Sequence, residues 1–222
     1  MCFSPEVDLV AGVVISAIGV DALRHVEHRT DISLAALPLA LGTHQIIEAV
    51  VWWGVEGRVA SPVGLWAAWL YLVLAFGALP WLVPWAVSKL EPNPGRSRAM
   101  VSLAGVGVLL STILMYGVIR GPVVVADGGH FLSYQVPLPS GGFLVVVYIV
   151  VTCGSLLLST DRRAVQFGVA NLTAVIALAL LLSSSVISLW CVWAAVASGV
   201  VAIHMRRTDA YRHRFRPIAS AS

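Results

Sequence analysis

The chain has 222 residues, 59% of them apolar and only 11% charged, with a mean hydropathy of +0.89. That is far more apolar surface than a soluble domain of this length needs to fill a core, so a soluble domain is excluded and an integral membrane protein is expected. The net charge of +3 and the pI near 9.0 come from arginines between the apolar segments, which fits contact with anionic lipid headgroups at the cytoplasmic face and not with nucleic acid.

About 20 apolar residues in a helix cross a ~30 Å hydrocarbon layer. Seven such segments are expected, at 7–23, 32–53, 63–87, 100–119, 141–159, 167–183 and 186–205. They leave no room for a second, soluble domain, so one all-α bundle of seven spans is expected, followed by a basic cytoplasmic tail at 206–222. With the N-terminus outside, every Lys and Arg except Arg58 and Arg120 falls on the cytoplasmic side. This split orients the chain with its C-terminus inside. The richness in Ala, Val and Gly and the preference for Arg over a single Lys hint at a GC-rich bacterial genome, so the expected location is a bacterial inner membrane.

The first segment opens with Cys2, Ser4, Glu6 and Asp8, and its first positive charge comes only at Arg24, so it is read as a retained helix and not a cleaved signal. If the initiator methionine is removed, Cys2 would carry a free amine and a thiol, a pair able to chelate a metal or act as a nucleophile. An inert thiol behind a retained Met1 is the alternative. Asp8, Gly12, Ser16 and Gly19 then recur at helical spacing. Such a stripe reads as helix packing or as the lining of a cavity.

The second segment holds the most informative pair, His44 and Glu48, which are one helical turn apart and so share a face. An ionisable group at membrane depth costs roughly 2.5 kcal/mol or more unless it is paired, neutralised or wetted. His44 and Glu48 are therefore the candidate site, with Glu48 the candidate general base of an enzyme reading. Partners are sought in the outer half, where Cys2, Ser4, Glu6, Asp8 and His130 collect. Cys2, His44, Glu48 and His130 form the candidate metal set; Ser4, Glu6 and Asp8 form the candidate ligand-binding set. Imidazole with thiolate favours zinc or copper.

Between the fourth and fifth segments, runs at 122–126 and 131–136 flank Asp127-Gly128-Gly129, which predicts a short outer β-hairpin over the mouth of the bundle. His130 at its tip either ligates or faces water. The fifth segment carries Tyr148, Thr152, Ser155 and Ser159 on one stripe, and the seventh a second stripe from Ser184 to Ser198. Cys153 and Cys191 read as small packing residues, so no disulfide framework is expected. Retinal is excluded, because the only lysine, Lys89, lies between spans. Haem on His25 or His28 with His204 is not favoured, since these cluster where headgroup contact explains them.

The opening Met1-Cys2-Phe3-Ser4, with His44-Gln45-Ile46-Ile47-Glu48 followed by Trp52, resembles a family of uncharacterised bacterial seven-span membrane proteins that begin Met-Cys-Phe-Ser and carry a His-Gln-x-x-Glu element. The resemblance covers essentially the whole chain and implies that the N-terminal tetrapeptide and the second-span pair belong to one site; it implies no activity. More distantly, His44 is similar to the second-span histidine of the alkaline ceramidase and progestin/adipoQ receptor superfamily, which holds an intramembrane zinc. The chain departs from that pattern in having His204 followed by Met205-Arg206-Arg207-Thr208, without the family's His-x-x-x-His pair, and in having no aspartate in the third span.

Three functions follow from these residues. The first is a binding or sensing module that holds a metal ion or small ligand in an outer-facing pocket. The second is a metal-dependent hydrolase of a lipid-like substrate, with Glu48 activating water. The third is a structural or assembly subunit in which His44 and Glu48 are merely paired.

Overall fold

The computed structural model describes residues 4–26, 32–128, 132–138 and 140–181. In chain order these form α1 (Pro5–Arg24), α2 (Ile32–Val55), α3 (Ser61–Leu72), a π-helical segment (Val73–Ala78), α4 (Leu79–Leu90), α5 (Pro94–Arg120), strands β1 (Val124–Asp127) and β2 (Leu132–Gln135), α6 (Gly141–Leu157) and α7 (Arg162–Leu181). The protein is thus mostly helical, with one small antiparallel sheet. Three helices, Ala35–Val55 within α2, Ser61–Leu90 and Pro94–Arg120, are long and apolar enough to cross a membrane. Among the other expected spans, α1 has the length but carries Glu6, Asp8 and Asp21, and α6 is 17 residues long. The segment 186–205 lies outside the described residues.

Glycines set the seam between α1 and α2. A side chain on Gly12 would come within 2.7 Å of Ile46 and 2.9 Å of the Gly42 carbonyl, and one on Gly19 within 2.7 Å of the Leu39 Cα. Backbones approach this closely only where there is no Cβ, which is how small residues join helices that have no hydrophobic driving force between them. The pairs Gly19 with Leu39 and Gly12 with Ile46 also show that the two helices run antiparallel. On the far side of α2, Gly54 meets Gly64 of α3, where an added Cβ would lie 2.6 Å from the Gly64 Cα. Helix α2 is therefore held between α1 and α3. The opposite face of α1 exposes Val10, Val13 and Val14, the kind of surface lipid would cover.

The third expected span is broken in phase by the π segment. Leu79 N–H donates to the Leu74 carbonyl, five residues back, where an α-helix would use Ala75. Pro80 has no N–H, so it cannot supply the Ala75 carbonyl either. That carbonyl would be orphaned inside the protein, and the Tyr148 hydroxyl of α6 donates to it at 2.9 Å. Removing the hydroxyl with Tyr148→Phe should destabilise the protein by about 1–2 kcal/mol, since a buried carbonyl then lacks its donor; a thermal melt indistinguishable from wild type would rule this account out.

The hairpin forms as expected but with shorter strands. Asp127, read as the start of the turn, pairs instead with Leu132 in the last rung. Leu132 is buried, and Val123, Val125, Tyr134 and Val136 pack on a cluster that includes Val51, Trp52, Ala68, Tyr71 and Val118. The hairpin thus rests on the end of the bundle where α2 ends and α3 begins.

At the opposite end, the α4–α5 and α6–α7 turns are joined through Glu91. Its carboxylate accepts from Thr160 N–H at 2.7 Å, Ser159 Oγ at 3.2 Å, Asn93 N–H at 3.1 Å and the Thr160 hydroxyl. Arg96 donates to the Leu158 and Ser159 carbonyls at the end of α6. The fifth-segment stripe is accounted for in the same way: Thr152 bonds back to the Tyr148 carbonyl, Ser155 to Thr152, and Ser159 to Glu91. Tyr148 and Ser159 thus bond to other elements, while Thr152 and Ser155 bond back within α6.

Candidate functional site

Helix α2 turns His44, Gln45 and Glu48 inward, and all three are buried, Glu48 completely. The register that sets Gly19 beside Leu39 and Gly12 beside Ile46 puts Asp8 level with Val50, within about one turn of Glu48. Asp8 is also completely buried. Asp8 of α1 and His44, Gln45 and Glu48 of α2 are thus all buried toward the hairpin end of the seam between the two helices.

Aromatic rings close this group from the side of α3. The His44 ring stacks on Tyr71 with centroids 3.9 Å apart, and Tyr71 stacks in turn on Tyr134 of the hairpin at 4.6 Å and 2°. His44 Nε2 also lies 3.3 Å from the Tyr71 carbonyl, which fixes the plane of the imidazole. On its other side His44 lines a cavity of about 40 Å³ with Ala40, Leu41, Leu74, Ala78, Leu79 and Leu82. Apart from the His44 ring its walls are all Ala and Leu side chains, and it is too small for an organic ligand. The Gln45 Oε1 and Trp52 Nε1 atoms are buried without a hydrogen-bond partner among the described residues, so the group retains both an acceptor and a donor for a further species.

The other sequence candidates are placed differently. Ser4 caps α1, its Oγ accepting from Val7 N–H at 3.4 Å ahead of Pro5 in the first turn. Glu6 points outward to Arg58, 2.8 Å away, and Arg58 also meets Glu56 at 2.8 Å. The Arg58 hydrogen bond holds the Glu6 carboxyl below its ordinary range. Glu6 thus fastens the start of α1 to the α2–α3 turn, while Ser4 serves as the local cap of α1. Cys2 and His130 lie outside the described residues, as do His28 and His204. His25 Nδ1 is 2.8 Å from the Asp21 carbonyl, a local contact at the far end of α1. Among the described residues no three of His, Cys, Asp and Glu gather as a metal-binding group.

Gln45, Trp52, Tyr71 and Tyr134 were not among the sequence candidates. For Gln45 and Trp52 a signal was present, since both lie on the inward face of the helix that carries His44 and Glu48. Tyr71 and Tyr134 are brought in by tertiary packing that no local pattern encodes.

No curated protein matches the chain. No solved structure matches it either. A family model does match residues 1–216, almost the whole chain. The chain belongs to that family, described as a family of unknown function (DUF6629).

Proposed function

We propose that the chain is a seven-span protein of a bacterial inner membrane, N-terminus outside, whose hairpin end holds a small cation in a closed polar pocket built on Asp8, His44, Gln45 and Glu48. The observation that carries this reading is the burial of Asp8, His44 and Glu48 toward the hairpin end of the α1–α2 seam. Carboxylates in such surroundings must be neutralised, paired or bound to a cation. Cys2 and His130, the remaining sequence candidates, would complete a zinc or copper set. The function is binding or sensing, with hydrolysis of a lipid-like substrate as the enzymatic form of the same site.

The alternation of basic residues along the chain favours the seven-span reading, and three of the expected segments coincide with helices long and apolar enough to cross a membrane. The pocket is tested by elemental analysis of protein purified without added metal. Roughly one metal per chain is expected in the wild type, with loss in His44→Ala and Glu48→Gln while the proteins remain folded. Metal-free wild type that is destabilised by both substitutions would instead identify a structural pair and overturn the binding reading.

A further inference from the structure

A groove of about 670 Å³ runs along the outside of the bundle between the π segment with α4 and the second half of α5, lined by Gly77, Trp81, Val108, Ser111, Met115 and Tyr116 among others. Its origin is a pinch. At Gly107 an added Cβ would lie 2.6 Å from the Pro80 carbonyl carbon and 2.9 Å from Trp81 Cα, so α4 and α5 touch there; toward the hairpin end they diverge around Gly77. The two helices that form its walls, within Ser61–Leu90 and Pro94–Arg120, are both long and apolar enough to cross a membrane. The groove therefore opens sideways toward lipid.

Two polar groups mark it. The Ser111 hydroxyl is buried on the groove floor and has no hydrogen-bond partner among the described residues. At the hairpin end the guanidinium of Arg120 bends back over the Tyr116 ring, 5.2 Å from its centroid. The other arginine of this end, Arg58, is neutralised by Glu6 and Glu56, whereas no carboxylate pairs with Arg120 among the described residues. Along α5, Ser111 lies about 7.5 Å below Tyr116. A cation at the interface, a hydroxyl below it and an apolar trough match, in order, the phosphate, glycerol esters and first methylenes of a phospholipid.

We propose that this groove is a site for one anionic glycerophospholipid, its phosphate on Arg120, an ester carbonyl accepting from Ser111 and an acyl chain against Trp81, Met115 and Val108. This goes beyond the cation pocket and shares no residue with it.

The test is native mass spectrometry of the full-length protein in detergent, titrated with phosphatidylglycerol or phosphatidylcholine. Wild type should bind phosphatidylglycerol roughly tenfold more tightly, the scale of one charge-assisted contact. Arg120→Gln should remove that preference and Arg120→Lys should largely restore it, a pattern that loss of a merely structural arginine would not give. Thr112→Trp, which fills the groove from an exposed position on α5, should weaken both lipids. Preference retained in Arg120→Gln, unchanged binding in Thr112→Trp, displacement by glycerol 3-phosphate alone, or a second copy of the chain covering this face would each overturn the proposal.

Discussion

Substituting valine for Gly42 should be among the most damaging single changes in this protein, lowering its stability by about 3 kcal/mol, at the upper end of what overpacking costs. A Cβ at this position falls on the Ser16 backbone and hydroxyl and lies 2.8 Å from the Gly12 carbonyl. Backbone cannot step aside as the end of a long side chain can, so α1 must move away from α2 as a unit. That motion also separates Asp8 from the helix that carries His44 and Glu48, so under the proposed cation reading metal content should fall together with stability. The control is Gly105→Ala, where nothing lies within 4 Å of the new Cβ; there the better helix former should stabilise slightly, by up to about 1 kcal/mol. An SDS or thermal titration of detergent-solubilised protein reads both. Equal behaviour of the two variants would refute the glycine seam.

The second large effect is expected at the other end. Glu91→Ala removes the acceptor of two backbone N–H groups and two hydroxyls at once and should cost about 3 kcal/mol, because hydrogen bonds to a charged acceptor are worth roughly 1.5–3 kcal/mol each and only part is regained from water. The dependence on pH has a definite sign. Burial works against the charged carboxylate, but hydrogen bonds from Thr160, Asn93 and Ser159 outweigh it and hold the Glu91 pKa below its ordinary 4.5. A carboxyl whose folded-state pKa is depressed stabilises the protein at pH values above the unfolded pKa, and that contribution is lost as the pH falls through the folded one. Wild type and Glu91→Gln should therefore differ most at neutral pH and converge below about pH 4. A constant gap from pH 7 to pH 3 would show that the carboxylate charge has no part in the clamp.

Much of the helical framework was legible because long apolar runs are bounded by charge or by Pro and Gly. The expected 7–23, 32–53 and 100–119 correspond to Pro5–Arg24, Ile32–Val55 and Pro94–Arg120. The hairpin was legible from β-branched runs on either side of Asp127-Gly128-Gly129. Of the site, the inward direction of His44 and Glu48 followed from burial cost alone, and Asp8 from its spacing to Gly12. The outward turn of Glu6 did not follow, because its partner Arg58 is 52 residues away and is brought near only when α1 packs on α2. The stack of Tyr71 on His44 was hidden for the same reason. The π segment left one trace, Pro80 in the middle of an apolar run, but a proline there reads equally as a kink.

That segment also changes which neighbours the two halves of one helix can meet. Buried positions advance by threes and fours through Gly64, Ala67, Ala68, Tyr71, Leu72 and Ala75, then skip five residues to Pro80 before resuming at Pro84 and Val87. One additional residue in a helix turns everything beyond it by about 100°. The rod is in effect two rods joined out of phase: its first half presents small residues to α2, and its second half is rotated to meet α5 and α6. The number of residues between Leu72 and Pro80 is therefore more tightly constrained than their identity, because a single insertion or deletion there would redirect half of the helix while leaving its apolar character untouched.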